Sequence, residues 1–274
     1  MTSAAMLVST VLHTPAERAK LLVANMSLDE KLLMLHGPPY GPPDACHNSS
    51  LCAYVGNLPP NARLGIPPVN MNDGPQGFRA ATAQSGTSTA WPSGLTMGAS
   101  WDVDAVEEWG VGMGKEFYDK GSNVLLGPGL CVARIPRNGR NFEYLSGEDP
   151  YLGSALVRPA VAGIQSQRVI ANAKHFVLNS QESNRHGDSS DADERTRYEM
   201  YYPPFAGAIE AGVGSVMCSY NRVDGTYACE NNVALGTDLK GRALGASATF
   251  DGFVMSVPPA RAEPAISWPR APGL

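Results

Sequence analysis

The sequence predicts an α/β chain of parallel strands with helices outside, wound as a (β/α)8 barrel, and three observations lead there. Short apolar runs alternate along the chain with amphipathic stretches, in the order strand, loop, helix, strand. Polar residues capable of chemistry follow the C-terminal ends of those runs, as in Asn72-Asp73-Gly74, Lys174-His175 and Ser219-Tyr220-Asn221, where a barrel builds its working loops. No GxGxxG and no GxxxxGK motif occurs, so a doubly wound nucleotide-binding sheet lacks its phosphate loop.

Taken in order, residues 1–36 predict two helical segments. Pro15 marks the start of the first, and Ser27-Leu28-Asp29-Glu30 is a capping box opening the second. Four prolines between positions 37 and 43 end it. The strand runs are then 69–71, 123–126, 169–177, 214–218 and 250–255. Amphipathic stretches at 103–118, 152–167 and 194–210 lie between several of them. Gly147-Glu148-Asp149-Pro150-Tyr151 sets the turn into the helix at 152–167. Positions 257–274 break the pattern: five Pro and four Ala with no periodic apolar face cannot continue a barrel strand or helix. The expected division is a barrel domain at 1–256 and an unrelated Pro/Ala-rich tail at 257–274.

Composition narrows the function. The 274 residues include 43% hydrophobic and 17% charged residues, which argues against disorder, and the formal charge of −5 offers nucleic acid no basic footprint. No apolar run reaches the roughly 20 residues of a membrane span. The 29 Gly and 22 Pro exceed the roughly 12% typical of proteins, which suits a fold with many sharp connections. Cys46 with Cys52, and Cys218 with Cys229, each bracket a short loop that a disulfide can close, leaving Cys131 unpaired. With the triplets Asn25-Met26-Ser27 and Asn48-Ser49-Ser50, which read as glycosylation sequons, these pairs point to an extracellular setting. No basic residue precedes the apolar stretch 4–12, so it makes a weak export signal.

The chemical residues suit a polyol. Asp73 offers two acceptor oxygens to sugar hydroxyls, or else closes an Asx-turn. Arg140, in Arg137-Asn138-Gly139-Arg140-Asn141-Phe142-Glu143, can donate its planar fork to vicinal hydroxyls, or belong to a surface ion cluster. Lys174 and His175 close a strand, so alternation lets at most one face the interior unless the strand ends there. Arg185 follows in the same loop. His186-Gly187-Asp188 can form a His–Asp acid pair, or lie in a solvated loop. Tyr220 can bond a catalytic carboxylate, or sit at a rim. The spacing of His175 and His186 is no helical metal motif, and neither metal nor cofactor is expected.

Together and in order, these motifs resemble the N-terminal domain of glycoside hydrolase family 3, in its β-glucosidase branch. The matching residues are Asn72-Asp73-Gly74-Pro75-Gln76-Gly77, Gly139-Arg140-Asn141-Phe142-Glu143, Ala173-Lys174-His175-Phe176, Gln181-Glu182 with Asn184-Arg185, Met217-Cys218-Ser219-Tyr220-Asn221 and Gly252-Phe253-Val254-Met255-Ser256. The resemblance implies a TIM-type barrel followed by an α/β sandwich domain, and retaining hydrolysis of terminal β-D-glucosyl residues. Its substrates would be β-linked glucosides or oligosaccharides, with no nucleic acid or membrane partner. Asp73, Arg140, Lys174, His175 and Arg185 would hold the sugar, and Tyr220 would position the nucleophile. That nucleophile, an Asp after Gly-Phe-Val-Met-Ser, is here Val257. The expectation is therefore an incomplete barrel whose last strands, sandwich domain and acid/base are missing and which is inactive alone. The alternatives are a sugar-binding pseudoenzyme or a frameshifted fragment. The N-acetylglucosaminidase branch is rejected, because Val177-Leu178-Asn179 stands where that branch has Pro-Gly-His-Gly.

Overall fold

The computed structural model describes residues 14–36, 54–79 and 88–256. Helix α1 (Pro15–Asn25) starts at the expected proline, with Thr14 as its cap, and Asn25 is exposed at its end. Helix α2 (Leu28–His36) opens on the capping box: Ser27 N donates to Glu30 Oε2 at 2.8 Å, and Glu30 N donates to Ser27 Oγ at 3.2 Å. Strand β1 (Gly56–Leu58), which the sequence does not signal, pairs antiparallel with β2 (Val69–Asp73). Helices α3 (Gly94–Ser100) and α4 (Val103–Asp119) lead to β3 (Val124–Leu126), and α5 (Pro150–Ser166) leads to β4 (Ile170–Phe176). Asp149 caps α5, accepting from Tyr151 N and Leu152 N, so the turn expected from that segment forms. A two-residue strand β5 (Ser189–Ser190) and helix α6 (Pro203–Glu210) precede β6 (Ser215–Cys218). The hairpin β7 (Arg222–Val223) and β8 (Thr226–Tyr227) and a π-helical segment, Asn232–Gly241, then lead to β9 (Phe253–Ser256).

The main sheet has the order β1-β2-β3-β4-β6-β9, and every pairing from β2 onward is parallel. The parallel strands neighbour one another in chain order with no reversal. Winding in one direction is barrel winding; a doubly wound sheet would reverse. The described strands therefore form an incomplete (β/α)8 barrel, with β5, β7 and β8 as a small sheet beside it.

Strand alternation separates two cores. Leu125, Ala171, Ala173 and Val216 face the helices and join Phe117, Leu156, Val161, Ile164 and Phe205 in the large outer core. Met71, Val124, Leu126 and Met217 point the other way into a smaller cluster, with Met255 packed against it. Burial on both faces explains why the sequence of β4 reads as a continuous run rather than an alternating one.

Two sequence expectations need correction. Residues 194–210 are not one helix: a turn at Glu194–Thr196 passes into a π turn, Arg197–Tyr201, and α6 starts afresh. Pro203 and Pro204 have no N–H to continue the earlier ladder. The run 250–255 becomes strand only at Phe253, because Phe250 is buried in the helix-side core with the Lys240 ammonium 4.3 Å from its ring centre. Cys218 and Cys229 form a disulfide, and Cys131 is free and buried. The pair Cys46 and Cys52, the triplet at Asn48 and the tail 257–274 lie outside the described residues.

Candidate active site

All six residues expected at the site lie at or just beyond the C-terminal ends of the parallel strands. Asp73 ends β2, Arg140 lies in the loop after β3, and Lys174 and His175 lie at the C-terminal end of β4. Arg185 is in the loop after β4, and Tyr220 follows β6. The structure brings the first four into one hydrogen-bonded cluster. Lys174 Nζ donates to Asp73 Oδ1 at 3.2 Å and faces Glu143 Oε2 at 3.6 Å. Arg140 Nε donates to Glu143 Oε1 at 2.5 Å, and its Nη2 lies 3.4 Å from His175 Nε2.

Lys174 and His175 are both buried at the site, the alternative that the sequence left open for a strand that ends there. Simple alternation fails because the ladder between β4 and β6 shifts register between Lys174 and Phe176. Such an irregularity re-aims side chains where a strand ends. Asp73 does more than close a turn. One oxygen takes both Gly74 N–H, at 3.1 Å, and the lysine, and the other lies 3.4 Å from Arg79 Nη1.

Protonation follows from the geometry. A guanidinium has donors only, so His175 Nε2 accepts from Arg140 and the neutral ring carries its proton on Nδ1. That N–H donates to the Tyr144 hydroxyl at 3.1 Å. Burial, with the charges of Lys174, Arg140 and Arg185, holds the imidazole well below its ordinary value, so it is neutral. Burial opposes ionisation of Asp73, but the Lys174 ammonium, with Arg79 and Arg140, outweighs it and lowers the carboxyl below its usual range. Asp73 is thus an ionised acceptor rather than a proton donor.

A second group adjoins the first. The Arg185 guanidinium lies 4.1 Å from the Tyr220 ring centre and donates to Glu182 Oε1 at 2.5 Å. The His186 ring packs against Tyr220, with centroids 4.4 Å apart, and accepts from Arg185 Nε at 3.4 Å. Asp188 takes the Ser190 hydroxyl at 3.5 Å. Burial pushes the Tyr220 phenol up, and it stays protonated. Two recesses, of about 470 Å³ beside Tyr198 and Arg242 and about 280 Å³ beside Glu30 and Arg63, contain none of these six residues.

The ion cluster that the sequence offered for Arg140 and Glu143 forms, three residues apart, but it is buried at the site rather than on the surface. Two further neighbours, Tyr144 and Arg79, were not expected there. Arg79 returns to Asp73 only because the turn folds back, with Arg79 N donating to Asp73 O at 3.0 Å. Val257, the position expected to hold a nucleophile, lies outside the described residues; Ser256 before it pairs with Cys218 at the end of β9. The arrangement supplies fixed cations, an ionised acceptor and a neutral imidazole at one end of the sheet, which suits recognition of hydroxyl groups.

Comparison with known proteins gives a consistent picture. Residues 43–258 match the Glycosyl hydrolase family 3 N terminal domain. The chain is 38% identical over 251 residues to probable beta-glucosidase M of Emericella nidulans, a match covering 87% of this chain and 30% of that protein. It is similar in structure to DesR, a beta-glucosidase from Streptomyces venezuelae solved in complex with D-glucose. The TM-score is 0.78 at 34% identity, covering 89% of this chain and 29% of that one. The Beta-D-glucoside glucohydrolase of Trichoderma reesei matches with TM-score 0.77 at 39% identity, over 88% of this chain and 31% of that one. The chain thus spans about 30% of the length of these relatives.

Proposed function

The chain belongs to glycosyl hydrolase family 3, and from that membership we propose that its strand-end cluster is the glucosyl-recognition part of a retaining β-glucosidase site. Its ligands are terminal, non-reducing β-D-glucosyl residues of glucosides or oligosaccharides. Asp73 accepts hydroxyl hydrogens, Arg140, Lys174 and Arg185 donate to hydroxyl oxygens, and His175 accepts through Nε2 or holds Arg140. Tyr220 is the residue that would position a nucleophile following Ser256. The observation that carries this reading is the convergence of Asp73, Arg140, Lys174 and His175 into one bonded cluster at the ends of parallel strands. The relatives solved with glucose support the choice of sugar.

Chemistry is a separate matter from recognition. Retention requires a nucleophile and an acid/base carboxyl about 5–5.5 Å apart. The carboxylates at this cluster are engaged: Asp73 with Lys174, Glu143 with Arg140, and Glu182 with Arg185. Val257 stands at the nucleophile position and has no lone pair. The 274-residue chain is therefore read as binding the sugar without cleaving it. The Cys218–Cys229 disulfide supports an oxidising, extracellular setting.

Isothermal titration of the 274-residue chain with glucose tests the reading. Saturable binding is expected, weakened about tenfold or more by Asp73→Ala, which removes a charged acceptor worth roughly 1.5–3 kcal/mol. A folded chain that takes up no glucose would overturn it.

A further inference from the structure

Glu143 has no part in sugar contact as read above, yet its side chain is only 6% exposed and lies between two cations. Oε1 accepts from Arg140 Nε at 2.5 Å, and Oε2 is 3.6 Å from Lys174 Nζ. A carboxylate buried this deeply is sustained only by partners of that kind. Its backbone is held as closely. A Cβ on Gly94, at the start of α3, would come within 2.5 Å of the Glu143 carbonyl oxygen, and one on Gly129, after β3, within 2.7 Å. Two glycines thus let two separate segments press on this one residue. Glu143 N also donates to Arg140 O at 3.2 Å, closing the turn that joins the pair.

We infer that Glu143 is a positioning residue, which holds the Arg140 guanidinium and the Lys174 ammonium apart and in fixed orientation for sugar hydroxyls, without touching the sugar. The donor inventory supports this. Arg140 commits Nε to Glu143 and Nη2 to His175, which leaves Nη1 for a ligand. Lys174 directs one N–H at Asp73 and another toward Glu143, and keeps a third. Without the Glu143 charge the two cations repel each other, and Lys174 closes more tightly on Asp73. The acceptor offered to the sugar is then neutralised. This role rests on the glucosyl-recognition reading of the site.

The test uses the 274-residue chain and its Glu143→Gln and Glu143→Asp variants. In proton–nitrogen correlation spectra the wild-type Arg140 Nε–H, assigned by its loss in Arg140→Lys, should be downfield and slow to exchange. Glutamine should abolish that signature and weaken glucose binding by about tenfold or more. Aspartate, shorter but charged, should recover part of the affinity. A mere packing role predicts the reverse ranking, because glutamine keeps the volume and aspartate does not; that ranking overturns the inference. If neither variant folds, the wild-type spectrum decides alone, since a rapidly exchanging Arg140 Nε–H is incompatible with the clamp. Absence of glucose binding by the folded wild type would overturn the reading of the site, whereas the Nε–H signal reports independently on the Glu143–Arg140 contact.

Discussion

His175 is buried between an arginine that only donates and a tyrosine that can accept, and its neutrality has a thermodynamic consequence. Its folded value is depressed below the ordinary 6.5, so below that pH the unfolded chain binds a proton that the folded chain refuses. Stability therefore rises with pH through this window and falls on acidification, by up to about 1.4 kcal/mol per pH unit. Urea unfolding at pH 7.5 and 5.5 should show wild type losing roughly 1 kcal/mol more than His175→Gln over that interval. Equal losses would mean that the imidazole titrates in the fold as it does in the unfolded chain. Asp73 acts in a separate, more acidic window: its pairing stabilises the fold above the ordinary carboxyl value of 3.8 and is lost as pH falls through the lower native value. The identities of both residues were legible in the sequence. Their states were not, because protonation depends on burial and on charges contributed by other strands.

At the scale of elements, the loop after β6 carries Tyr220, and the disulfide from Cys218 to Cys229, eleven residues on, closes it. Closing a loop of that size removes denatured-state entropy worth roughly 3 kcal/mol. Cys229→Ser should therefore lower unfolding stability by about 2–3 kcal/mol, with the reduced wild type behaving alike in denaturant titrations. A loss of only a few tenths would place the holding force elsewhere, in the Asn221 side-chain bonds to Val177 O and Arg222 O. Elements whose ends are written in local chemistry were legible: the Ser27–Glu30 box and the Asp149-Pro150 start of α5 are single-turn signals. The break before α6 was also written, as two prolines, but the amphipathic pattern around it obscured it. The short strand β1 was not legible, since its three residues form a strand only by pairing with β2.

At the scale of the molecule, β9 is the last described strand, with Phe253 39% exposed while Met255 packs on the inner cluster. On the proposed reading, Val257→Asp in the 274-residue chain should leave hydrolysis of an aryl β-glucoside at background, because Asp73, Glu143 and Glu182 are ion-paired and a nucleophile and its acid/base form a unit whose members do not act additively. Burst or steady release of the aglycone by that variant would mean that one of the engaged carboxylates can supply the proton, contrary to the pairing of Asp73, Glu143 and Glu182. The span of about 30% of the relatives' length makes this a statement about these 274 residues.

The sequence by itself determined the order of the strands, the residue types at their ends and the family, because turn chemistry, apolar runs and ordered motifs are local and survive as a linear text. Tertiary structure alone decided how a register shift lets adjacent Lys174 and His175 share one site, that Glu143 stands between two cations and that Arg79 returns to Asp73. The physical reason is common to all three. Register shifts, counter-ion placement and fold-back contacts depend on which distant backbones approach one another, and no local pattern records that.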